Sequence, residues 1–130
     1  MNIKLAILKD GNMITREKSV AELYPNLDAI WTVMVMEKVE KDKVTGLIDT
    51  GCTVVWGWYK NYEDAKRAVI NNITDIWEGI YHYAVVQRIT EGIIPVPLDE
   101  EHWFKYNRYT HQYDEIKTPD LGHCMIRSIG

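Results

Sequence analysis

The stretch Thr53–Ile89, TVVWGWYKNYEDAKRAVINNITDIWEGIYHYAVVQRI, carries a single local architecture in its residues: a strand, a capped helix and a second strand. Cys52–Lys60 is rich in β-branched and aromatic residues and reads as a strand. Asn61 follows it as an N-cap, with Glu63 and Asp64 in the first turn, where negative charge meets the positive end of a helix dipole. Ala65, Ala68, Val69 and Ile73 recur at helical spacing on one stripe, and Lys66, Arg67 and Asn71 occupy the other, so one helix face should lie on a sheet. Asn71-Asn72 weakens this helix and Gly79 stops it, leaving Tyr81–Ile89 as the return strand, apolar enough at Ala84-Val85-Val86 for both faces to be covered.

Outward from this unit, Ile3, Leu5 and Ile7 alternate to give a first strand that ends at the Asp10-Gly11-Asn12 turn. Residues 12–28 read as loop, with Ser19 capping a brief helical turn over Val20–Leu23 before Tyr24-Pro25-Asn26 breaks it. Ala29–Val39 is a strand apolar on both sides, and the polar, glycine-bearing connection after it leads to an antiparallel neighbour. The two prolines of residues 92–97 favour an extended edge or linker. His102–Asn107 and Gln112–Ile116 read as a hairpin around Arg108–His111, and Met125–Ile129 as a last short strand. The expected fold is α+β: one domain over residues 1–130, with a single mainly antiparallel sheet, one main helix packed on one face and a C-terminal β-hairpin.

Composition narrows the function. At 130 residues and 46% apolar content the chain can close a core. A net charge of −4 and the absence of any Lys or Arg run longer than two argue against direct nucleic-acid binding. No apolar run approaches the roughly 20 residues that cross a bilayer, and the N-terminus reads without a secretory leader, so a cytoplasmic location is expected. Cys52 and Cys124 could form one disulfide, but reduced and mostly buried thiols are the default.

Motifs for chemistry are sparse. The four histidines lack zinc-site spacing, and no nucleotide-binding loop or hydrolase elbow occurs, so neither metal nor cofactor is expected. His123-Cys124 lacks an orienting third residue, and Asp99-Glu100-Glu101 and Asp114-Glu115 read as solvated acidic loops, so no catalytic residue is assigned. Trp56 and Trp58 are two apart on a strand and should share a face. Gly57 between them marks close approach of a backbone, which places the helix over the Gly57 face and the tryptophans on the opposite one. That second face needs a cover: the C-terminal hairpin, a second copy of the chain, or a partner.

Trp56, Trp58, Tyr81, Tyr83, Trp103, Tyr106 and Arg108 are therefore the candidate binding residues. The aromatics can form a core, a protein interface or a stacking surface for a planar ligand, and Arg108 or Arg88 offers a planar fork for phosphate.

The segments WGWYKNYEDAKRAV, DIWEGIYHYAVVQRI and WFKYNRYTHQYDEI, at residues 56–69, 75–89 and 103–116, together resemble a family of small aromatic-rich α+β proteins of phages and mobile elements in Gram-positive gut bacteria. The resemblance covers roughly the C-terminal two-thirds of the chain and implies no site residue. It implies an inhibitor of host defence that binds a host protein or sequesters a nucleotide-like signal. The leading expectation is a non-enzymatic, homodimeric binding protein working through its aromatic sheet face. A small-ligand binder and a small enzyme are the alternatives.

Overall fold

The computed structural model describes residues 2–9, 12–19, 29–91, 100–122 and 124–129. Among these residues it is mainly antiparallel sheet with one α-helix, an α+β arrangement. Strands β1 (Asn2–Lys9) and β2 (Asn12–Ser19) pair with each other in a two-stranded sheet. Residues 12–19, expected to be loop, are thus a strand: NMITREKS has little apolar alternation, and its conformation comes from eight-residue pairing with β1. The helical turn at Val20–Leu23 and the proline segment at 92–97 lie outside the described residues.

The main sheet has five strands in the order β6 (Thr53–Tyr59), β3 (Ala29–Met36), β7 (Tyr83–Thr90), β8 (Glu101–Asn107) and β9 (Gln112–Ile116), each pair antiparallel. A two-rung ladder of β4 (Glu40–Lys41) and β5 (Ile48–Asp49) decorates the connection from β3 to β6. The helix α1 (Tyr62–Ile70) follows β6 directly. Its start matches the expected cap: Asn61 Oδ1 accepts from the Asp64 backbone N–H at 2.9 Å, while Asn61 Nδ2 donates to the Asp64 carboxylate at 2.9 Å.

Two clusters divide the core by sheet face. Ala65 and Val69 of α1 pack with Val33 and Val35 of β3, Ala84 and Val86 of β7, Phe104 and Tyr113. Burial pushes the Tyr113 phenol above its ordinary range, and the neutral O–H donates to the Tyr81 carbonyl at 2.6 Å. The alternate residues Met34, Met36, Val85 and Trp103 form the second cluster, against which Leu121 and Ile126 pack.

This second face answers the question of cover. The β8–β9 hairpin extends the sheet in its own plane, so it is not the lid. The lid on the described face is the C-terminal segment, which is irregular where a last strand was expected at Met125–Ile129. It is held by fully buried Gln87, whose amide donates to the Ile126 carbonyl at 2.7 Å and to Glu101 at 3.2 Å and accepts from the Ser128 N–H at 2.8 Å. The Thr32 and Ser128 hydroxyls add a 2.7 Å bond.

Removing the Gln87 amide would leave part-buried backbone groups of the tail unpaired, at a cost of about 1 kcal/mol. Gln87→Ala should therefore lower stability by that amount in chemical denaturation and render residues 121–129 newly sensitive to limited proteolysis.

Candidate functional site

The seven candidate residues separate into a core pair and two surface hollows. Trp103 is 1% exposed and Tyr81 6%, so both are core residues, and neither presents a ring to a partner. Trp56 and Trp58 line one hollow, and Tyr83, Tyr106 and Arg108 line another.

The first hollow owes its form to an irregularity in β6. Val33 pairs with Gly57 and Met34 with Val55, so Trp56 is an extra residue, a β-bulge. Side-chain alternation resets across it: Val54 before the bulge and Tyr59 after it both pack on the helix-side core. The bulge overturns the expectation that both tryptophans face away from the helix. Trp56 meets Tyr81 of the helix-side cluster edge-to-face, with ring centroids 6.4 Å apart. Trp58 stands opposite Thr32, whose hydroxyl bonds the C-terminal segment. The two rings nevertheless remain 42% and 57% exposed, beside Val55 at 45%.

The expected close approach at Gly57 is also absent, since a Cβ built there meets no described atom within 4 Å. Instead Gly57 lies in the wall of a half-open hollow of about 270 Å³, bordered by Val33 and Tyr59 of the sheet, Ala68 of α1, and Ile73, Thr74 and Ile76 of the segment after the helix. That segment is bent by left-handed backbone at Asn72, Thr74, Asp75, Glu78 and Gly79. Thr74, β-branched at φ 53°, is strained by about 1–3 kcal/mol. Asn72 holds the bend, accepting from the Trp77 N–H and donating to Asp75, both at 3.1 Å.

The second hollow, of about 440 Å³, lies where the end of β3 faces the β7–β8 pair. Trp77 and Tyr106 stack in it at 4.1 Å with an 11° interplanar angle, and Lys105 Nζ sits 5.6 Å from the Tyr83 ring centre. Lys38 on its rim is held by Asp49 at 3.1 Å and Glu40 at 3.6 Å, and Asp49 raises the lysine's pKa. Arg108, His82 and Val39 also line it, together with the acidic Glu37 and Glu40. Lys105 was not singled out in the sequence because its position opposite Tyr83 follows from the β7–β8 register.

The residues considered for catalysis are mostly engaged structurally. Glu100 pairs with His102 Nε2 at 3.0 Å, Glu101 accepts from Gln87, Asp114 accepts from Asn107 at 2.9 Å, and Glu115 accepts from Tyr62 at 3.3 Å. Arg88 is 8% exposed. Both thiols are free, and Cys52 is exposed and Cys124 half-buried, contrary to the expected burial. His123 and Asp99 lie outside the described residues. Among the described residues no His, Cys, Asp and Glu group could hold a metal ion. No protein-family model, curated protein or solved structure matches the chain.

Two glycines should respond oppositely to the same change. Gly57→Ala removes backbone entropy from the unfolded chain without a contact cost and should stabilise the protein by about 0.5–1 kcal/mol. Gly51→Ala at φ +61° sets its Cβ against Glu37 and should destabilise by about 1 kcal/mol or more. Thermal melts of the two variants read the contrast directly.

Proposed function

We propose that the chain is a non-enzymatic binding protein whose working surface is the β6 edge with Trp56 and Trp58. The observation that carries this reading is a contrast in aromatic burial: Trp103, Phe104 and Tyr113 are at most 1% exposed, whereas the two β6 tryptophans keep 42% and 57% of their surface open. Large apolar groups left exposed together mark interaction sites, and tryptophan is among the residues enriched at binding hot spots. β6 is moreover an end strand of its sheet, with β3 as its neighbour. Its bulge interrupts regular strand pairing, a known means of blunting an edge, so recognition rests on the rings more than on the backbone.

In the setting implied by the resemblance to phage and mobile-element proteins, the partner is a bacterial defence protein, the chain is its cytoplasmic antagonist, and the working form is a homodimer. Among the described residues no helix is long and apolar enough to cross a membrane. Trp56→Ala with Trp58→Ala should abolish capture of the partner from a host lysate while leaving the melting temperature within a few degrees, because both side chains are partly solvated. Light scattering should give twice the chain mass. A monomer whose partner capture survives the double substitution contradicts the reading.

A second reading, a binder of a nucleotide-like signal, is favoured by the meeting of Tyr83, Tyr106, Lys105 and Arg108 at the 440 Å³ hollow. Aromatic faces stack on bases, and the guanidinium fork suits phosphate. Calorimetry against cyclic dinucleotides and ADP-ribose should then give saturable heat that Arg108→Ala weakens by about tenfold or more.

A further inference from the structure

Among the described residues, nothing requires a glycine at position 57. A glycine within a strand marks a bulge, a close backbone approach or a close ligand approach. A bulge that requires glycine does so through left-handed backbone, and Gly57 is not among the positive-φ residues. Close approach of the chain itself fails as well, because a Cβ there meets no described atom within 4 Å. The positive observation beside it is a hollow that Gly57 itself lines.

The form of this hollow defines which ligand suits it. An apolar cavity of about 150 Å³ is enough to hold benzene, and drug-sized ligands occupy pockets from about 300 Å³ upward. At about 270 Å³ the space suits one ring or a fused pair. Among the described residues its lining includes no Lys, Arg, His, Asp or Glu, so no ionised side chain there offsets a ligand charge. Val33, Ala68, Ile73 and Ile76 supply apolar surface, and Trp56, Trp58 and Tyr59 add aromatic residues to the lining. Thr74 also lines the hollow and donates its hydroxyl proton to the Ile73 carbonyl at 2.7 Å, which leaves its oxygen as an acceptor for a ring N–H.

We propose that the hollow beside Gly57 binds a neutral, flat molecule of one or two fused aromatic rings bearing a ring N–H, the chemistry of indole or a purine base. This inference rests on the β6 edge being the working surface and adds a small-molecule site to it.

Titration of the ¹⁵N-labelled chain with indole tests it, with benzoate as the charged control. Indole should give saturable shifts centred on the amides of Gly57 and Thr74, with benzoate weaker by about tenfold or more. Gly57→Val, which fills the hollow from its wall, should weaken indole by about tenfold or more while the melting temperature is kept or raised. Absence of saturable shifts with both indole and adenine overturns the proposal, as does equal binding of benzoate. Unchanged indole binding by a folded Gly57→Val variant also overturns it. If the valine variant does not fold, the indole and benzoate titrations of the unsubstituted chain decide alone. Partner capture that is lost in the tryptophan double variant, together with no indole shifts, overturns the ligand and leaves the protein-binding reading standing. Indole shifts together with partner capture that survives the double variant do the reverse.

Discussion

β3 and β7 are neighbouring strands buried along both faces, and no arrangement of this chain is stable unless both faces are covered. Helix α1 covers one, because Asn61 starts it directly after β6 and its Ala65–Val69 stripe lands on the alternate valines. The C-terminal segment covers the other. It has no regular structure to satisfy its own backbone, so buried Gln87 supplies the missing hydrogen bonds from within the sheet. A polar side chain at the centre of an apolar strand is therefore the attachment point of the second lid.

Once both faces are covered from within, the surface left for recognition is at the margins. The β6 margin has two exposed tryptophans and a vacant space beside a glycine. The margin near β8 has a stacked aromatic pair with both cations and the acidic Glu37 and Glu40 around it. The first follows from the bulge at Trp56, which turns that ring toward Tyr81 while Trp58 keeps the opposite register. A regular strand would have put both rings on one face, and Gly57 would then have lain on the other.

The strand, helix and return strand were legible because their signals are local: a capping asparagine, acidic residues in the first turn, and periodic alanines and valines. The hairpin ending at Ile116 was legible for the same reason, from two aromatic runs around a polar turn. β2 was not, since Asn12–Ser19 is a strand through its pairing with β1 rather than through its own pattern. Nor was the role of Gln87, because its partners Ile126 and Ser128 are 39 and 41 residues away. In the candidate site the tryptophans were legible by type and their geometry was not. Gly57 read as a close approach of another backbone, whereas the fold has a bulge at Trp56 and no described atom within 4 Å of a Cβ at Gly57. Trp103 looked like its exposed relatives in the sequence and is distinguished by its place on a strand between two others.

The central claim is that the β6 edge, exposed in the isolated chain, is the surface that meets a partner. Hydroxyl-radical footprinting of the chain inside the cells that produce it, compared with the purified protein, tests this most directly. Oxidation of Trp56 and Trp58 should be strong in the purified chain and suppressed in cells, while Tyr109, 90% exposed on the far hairpin, stays equally oxidised in both. Equal oxidation of the two tryptophans in both settings would contradict the account.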